Sequence, residues 1–231
     1  MSLRNGRLTL ALCALLATPL LTLLTAQPAA AQEGTEFRRL TPPQPTQSPG
    51  KIEVTEFFSY GCPHCDEFYP LLTTWLASLP KDVAFRRVPV SFNRPAWENL
   101  QRAYYALQAS GDLARLDGAL FDAIHHRHEQ LTDEQSLAEW VGRHGGDADK
   151  FAAAYTSFGV NNQTVQADTM AERYAVGGIP SMAVNGEYVA LGNTFAEILS
   201  NTDKLIARVR AERPAPRPAA GTAAKPAAQA N

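Results

Sequence analysis

Cysteine is nearly absent from this chain of 231 residues, which has Cys13, Cys62 and Cys65 and no other. That scarcity argues against a fold stapled by disulfides, because a bridge from Cys62 to Cys65 closes too small a loop to stabilise much. It also argues against a structural zinc module, since no second C-x-x-C completes a set of four ligands. Haem attachment would need a histidine directly after the second cysteine, and Asp66 stands there. A strong charge of one sign is missing too. The 21 basic residues face 23 acidic ones, which gives no support for binding nucleic acid. After residue 31 no apolar run is long enough to span a membrane, and there is no internal repeat.

What is present begins with an export signal. Arg4 and Arg7 precede an apolar run from Leu8 to Leu24 and then Ala29, Ala30 and Ala31. A charged stretch, an apolar stretch and a small-x-small site predict a signal peptide over residues 1–31, cut after Ala31, which discards Cys13. Export places the rest in an oxidising compartment. With no other cysteine in the core, Cys62 and Cys65 read there as a reactive pair. Residues 32–212 make roughly one ordinary domain, large enough to bury a core without staples. Discounting the signal and the tail leaves 16 basic against 23 acidic residues, a mildly acidic surface.

The stretch Phe57-Phe58-Ser59-Tyr60-Gly61-Cys62-Pro63-His64-Cys65 joins a strand pattern to a helix pattern. Backbone N–H groups at a helix start are unpaired, and the helix dipole puts roughly +0.5 charge there. A thiolate at Cys62 faces that positive end. Pro63 suits the first helical position because it has no N–H to leave unpaired, and His64 adds a second positive influence. Together these predict a Cys62 pKa well below the ~8.5 of a free thiol. A drop of about three units would stabilise the reduced pair by ~4 kcal/mol, or ~90 mV toward a stronger oxidant.

Along the chain, residues 32–50 hold Pro42, Pro43, Pro45 and Pro49 among polar residues and read as an extended lead-in, partly ordered at best. Lys51 to Ser59 predicts a strand apolar on both faces, hence a central one. Glu56 shares the buried parity of Ile52, Val54 and Phe58, so its pKa should rise. It reads as a satisfied structural acid, as an edge-facing charge, or as a proton acceptor beneath Cys65. Phe68, Leu71, Leu72, Trp75, Leu76 and Leu79 repeat at helical spacing, with Pro70 expected to kink the helix. Val83 to Val90 is a second strand. Helices follow: one stopped by Gly111, one from Leu113 to His125, and one capped by Thr132-x-x-Gln135. The next is capped by Asp147, and the one after it by Asn161 or Asn162, ending at Gly177-Gly178. Asn185-Gly186 between apolar runs marks a hairpin. Thr194-x-x-Glu197 caps a last helix to about Arg210. The Ala/Pro tail, 213–231, cannot build a core. The order predicts a small mixed α/β sheet covered by helices, with a helical block inserted in the middle.

The cysteine stretch together with Gly177-Gly178-Ile179-Pro180-Ser181-Met182-Ala183-Val184-Asn185-Gly186 resembles the thioredoxin fold, and more closely the DsbA family of periplasmic thiol:disulfide oxidases. Phe-Phe-Ser-Tyr-Gly-Cys-Pro-His-Cys is similar to that family's active site. Glu56 matches its buried acid, Pro70 its kink proline, and Ile179-Pro180 its cis-proline loop. The resemblance implies a thioredoxin-like domain in two parts, 51–96 and 176–212, interrupted by an inserted helical domain over 97–175. It implies that the Cys62–Cys65 disulfide is passed to reduced exported proteins, with no cofactor beyond the disulfide itself. Reoxidation would come from a DsbB-type quinone-linked membrane protein. Ile179 departs from the valine usual in DsbA proteins, which leaves the redox poise open. Isomerase relatives carry a dimerisation domain ahead of the catalytic one, and residues 32–50 are too short for it, so a monomer is implied. Two alternatives compete with an oxidase. One is a reductase or isomerase on the same fold. The other is a metal-binding module using Cys62, His64 and Cys65, or His125, His126 and His128.

Overall fold

The computed structural model describes residues 31–213. The signal-peptide and tail readings fall, apart from Ala31 and Arg213, outside the described residues. The elements are β1 (Phe37–Arg39), β2 (Ile52–Phe58), α1 (Pro63–Leu76), β3 (Val83–Pro89), α2 (Pro95–Ser110), α3 (Leu113–His125), α4 (Glu134–Arg143), α5 (Ala148–Tyr155), α6 (Phe158–Arg173), β4 (Ser181–Val184), β5 (Tyr188–Ala190) and α7 (Phe195–Glu212).

All seven residues of β2 are buried, as an apolar pattern on both faces predicts for a covered central strand. It pairs parallel with β3 on one side and antiparallel with β4 on the other, within a sheet ordered β1-β5-β4-β2-β3. One core lies under α1 and α7 and holds Ile52, Val54, Phe68, Leu72 and Leu205. The other joins the sheet to the inserted helices α2 to α6 through Phe57, Phe58, Leu107, Phe121 and Trp140.

Residues 32–50 are more than a lead-in. Phe37, Arg38 and Arg39 pair antiparallel with Ala190, Val189 and Tyr188 and so form an edge strand. Phe37 is wholly buried, its ring 5.3 Å from that of Tyr188. The chain then follows the hairpin, with the Leu40 and Gln44 amides donating to the Glu187 and Gly186 carbonyls at 2.7 Å each. Three paired residues soon followed by prolines show no periodicity, which is why the strand is silent in the sequence.

Helix α1 runs as one element with Pro70 inside it. It buries Cys65, Phe68, Leu72 and Trp75, whereas Leu71 is 45% exposed and does not belong to the buried stripe. Two expected caps move. Asp133 and Ser136, not Thr132 and Gln135, form the capping box of α4. Ser157, not Asn161 or Asn162, caps α6 by accepting from the Val160 amide, and that helix ends at Arg173, short of Gly177. In both places the preceding backbone turns extended at a residue whose own oxygen reaches the free amides. Asp147 and Thr194 cap α5 and α7 as expected. The hairpin turn has Asn185 at φ 55° and Gly186 at φ 66°, and a Cβ on Gly186 would lie 2.0 Å from the Gln44 carbonyl oxygen.

Candidate active site

Strand β2 delivers the chain to the start of α1, and a short loop sets the first sulfur. The Cys62 amide donates to the Ser59 carbonyl at 3.1 Å, and the Gly61 amide to the Ser59 hydroxyl at 3.2 Å. A Cβ on Gly61 would sit 2.6 Å from the Trp97 ring nitrogen, so a side chain there would have to displace that ring. Cys62 is the residue that caps α1, in extended backbone, and Pro63 takes the first helical turn. The Cys62 carbonyl receives the amides of Cys65 at 3.0 Å and Asp66 at 3.2 Å. Cys65 therefore lies one turn inside the helix and is fully buried.

Both cysteines are free thiols in this structure. Cys62 is less open than its place at the helix start predicts, at 5% exposure. The loop ahead of β4 lies over it, and its Sγ is 3.7 Å from the Ile179 carbonyl oxygen. The Ile179–Pro180 bond is cis, as the resemblance implies, and so is Thr41–Pro42.

The two sulfurs differ sharply in acidity. The hydrogen bond from the Cys65 thiol, then the backbone amides of Cys65 and His64, and last the His64 charge bring Cys62 down to about 6 against the pull of burial. Burial, the neighbouring Cys62 and the Glu56 carboxylate push Cys65 upward. The leading cause at Cys62 is thus its partner thiol, with the helix start second. His64 itself points into solvent, its side chain 71% exposed and its Nδ1 3.4 Å from a Glu67 carboxylate oxygen.

Glu56 is fully buried and ion-paired. Arg87, its register partner on β3, donates from Nε to Oε2 at 2.5 Å, and Oε1 has no hydrogen-bond partner. Arg87 also donates from Nη1 to Asp117 of α3 at 2.7 Å and lies 3.6 Å from the centre of the Phe58 ring. Burial raises the Glu56 pKa, Arg87 opposes the rise and Asp117 adds to it. Glu56 is structurally paired with Arg87, and its charge is one of the causes that raise Cys65. Sequence reasoning missed Arg87, Asp117 and Tyr60. The one available signal was Arg87 inside a predicted strand beside an acid on its neighbour, an opposite-charge pair once the register is known.

Beside the Ile179 loop that lies over Cys62 opens a cleft of about 730 Å³ lined by Arg38, His64, Ile179, Pro180, Ser181 and Phe195, among others. Two of the histidines considered for a metal are engaged elsewhere. His125 Nε2 donates to the Tyr60 carbonyl at 2.7 Å, and His126 Nε2 lies 3.0 Å from Asp66. Among the described residues no group of three or more His, Cys, Asp or Glu is placed to hold a metal ion.

A thiol pair of unequal acidity at the first turn of a helix, laid against a mixed sheet and faced by a proline loop, is the working arrangement of thioredoxin-fold thiol:disulfide oxidoreductases, and this chain is one of them. Residues 53–202 match the family model of the DSBA-like thioredoxin domain. The chain belongs to the DsbA family. It is 38% identical over 193 residues to the thiol:disulfide interchange protein DsbA of Bordetella parapertussis, covering 82% of this chain and 91% of that one. To the DsbA of Pseudomonas aeruginosa it is 37% identical over 205 residues, covering 87% and 97%. The crystal structure of Pseudomonas aeruginosa DsbA superposes with a TM-score of 0.74, covering 78% of this chain and 94% of that one. The oxidoreductase DsbA from Xylella fastidiosa gives 0.75 at 33% identity, covering 79% and 100%.

Proposed function

We propose that this chain is a disulfide oxidase that donates a Cys62–Cys65 disulfide to reduced exported proteins in the bacterial periplasm. A substrate thiolate attacks the Cys62 sulfur, the Cys62–Cys65 bond breaks, and its electron pair goes to Cys65, which takes a proton from Glu56. A second substrate thiolate attacks the substrate sulfur of the mixed disulfide. Oxidised substrate leaves, and Cys62 departs as a thiolate. The observation that carries this reading is the unequal acidity of the two sulfurs: the one that must leave is stabilised as an anion, and its partner is not. The amides of His64 and Cys65 hold the Cys62 charge, Pro63 starts the helix at a position that needs no N–H, and the His64 ring contributes from solvent. Ile179 and Pro180 form the wall of the cleft against which a substrate peptide lies.

Family membership supports reoxidation by a DsbB-type quinone-linked membrane protein, a cycle without any cofactor beyond the disulfide, and action as a monomer. The test is the equilibrium reduction potential of the pair against glutathione, joined to two activity assays. The oxidase reading expects an oxidising potential, fast oxidation of reduced ribonuclease and weak reduction of insulin. A strongly reducing potential would move the assignment to a reductase. Cys65→Ser should accumulate mixed disulfides on Cys62, visible on non-reducing gels.

A further inference from the structure

Helix α3 holds the active-site loop at two points. His125, in its last turn, donates to the Tyr60 carbonyl at 2.7 Å, and Asp117, two turns earlier, accepts from the Tyr60 hydroxyl. The same Asp117 takes Nη1 of Arg87 at 2.7 Å, while Nε of that guanidinium serves Glu56 at 2.5 Å. Two carboxyl groups thus share one cation. With both ionised, this buried trio keeps a net negative charge, which a low-dielectric site disfavours. One proton on a carboxyl restores neutrality.

The surroundings decide which carboxyl takes it. Glu56 has no exposure at all, and its Oε1 meets no donor, whereas the Asp117 side chain is 15% exposed and holds two donors, Arg87 and Tyr60. The other titratable groups around the trio are Cys65 and Tyr69 on α1, Tyr60 in the loop and Tyr104 on α2, with the uncharged Met182 opposite Glu56 on β4. Burial raises all three tyrosines, so none carries charge near neutral pH, and Arg87 remains the sole cation of the trio.

We propose that Asp117 is a positioning residue for the proton on Glu56: by occupying one edge of Arg87 it leaves that cation too little to stabilise a second carboxylate, so Glu56 keeps a proton for Cys65. The proposal rests on the role given to Glu56 above and adds that the inserted helix α3 sets its charge state. When the Cys62–Cys65 bond breaks, the electron pair lands on Cys65 and the Glu56 proton follows it. When Cys65 later attacks to reform the disulfide, Glu56 takes the proton back.

The test is an infrared titration of the buried carboxyl in the full-length reduced protein, with Glu56→Gln assigning the band by removing it. Asp117→Asn frees Arg87 for Glu56 alone and should lower the Glu56 midpoint by about one pH unit or more. Asp117→Glu, which returns the charge, should restore it. An unchanged midpoint in Asp117→Asn overturns the proposal, whatever that variant does to melting temperature. If Asp117→Asn does not fold, Asp117→Ser removes the same charge and carries the same readout. A wild-type midpoint in the range of an ordinary exposed carboxyl overturns the proposal without any variant. If Glu56→Gln leaves thiol exchange with glutathione unaltered while Asp117→Asn still moves the midpoint, the role of Glu56 fails and its link to Asp117 stands.

Discussion

The Cys62 sulfur lies 3.7 Å from the carbonyl oxygen of Ile179, a residue 117 positions further along the chain. This contact brings the protein's two chemical motifs together. The helix start supplies a stabilised sulfur, and the loop ahead of β4 supplies the wall beside it. Between them in sequence lie the inserted helices, which are anchored back to the site through Asp117 and His125.

His64 is the last of the causes that lower Cys62, and it is exposed and close to Glu67. His64→Ala should raise the Cys62 midpoint by less than about one pH unit, because an exposed charge is screened. Ultraviolet absorbance of the thiolate, followed against pH, measures this. No change would remove His64 from the electrostatics. A full return to free-thiol behaviour would mean that the hydrogen bond from Cys65 does not lead.

The Cys62 shift also predicts how the stability of the reduced protein varies with pH. The folded thiol titrates at about 6, below its unfolded value. A group depressed in this way stabilises the fold above the unfolded pKa and loses that contribution as pH falls through the folded one. Reduced protein should therefore lose melting temperature relative to oxidised protein as pH falls from ~8 toward ~6, with Cys65 held protonated by burial in the folded chain over that window. Paired melts of the two redox forms test this, and a constant difference would contradict the Cys62 value.

Arg87 keeps Glu56 and Asp117 from facing each other as bare charges. Arg87→Met should cost about 3 kcal/mol at neutral pH, because it removes the one cation that two buried carboxyl groups share. The penalty should shrink at mildly acid pH, where a proton takes over the neutralisation. Urea unfolding at neutral and mildly acid pH reads both effects. A deficit equal at both would show that no carboxylate is stranded.

Gly186 sits at φ 66° with its missing side chain aimed at the Gln44 carbonyl. Gly186→Ala should destabilise by about 2 kcal/mol or more, from positive φ and displaced backbone together. Thermal melts would register the loss, and faster hydrogen exchange at the Leu40 and Gln44 amides would place it in the segment that covers the hairpin. An unaltered melting temperature would mean that this approach is not as close as described.

Much of this protein is decided locally and is therefore legible in its sequence. Two cysteines separated by Pro63 and His64 at a strand-to-helix junction specify a capped helix and a reactive sulfur, because helix caps and dipoles act over one turn. The same locality makes the Asn185-Gly186 turn and the Thr194 and Asp147 caps readable. Glu56 could be placed in the interior from parity alone.

What parity cannot supply is a partner. That Glu56 meets Arg87 depends on the β2–β3 register, and that Arg87 is shared with Asp117 depends on where α3 docks. The burial of Cys62 and the pairing of Phe37 likewise come from segments distant in the chain, the Ile179 loop and β5. Sequence fixes which atoms are acidic, basic or nucleophilic. Only packing brings one cation within reach of two carboxyls.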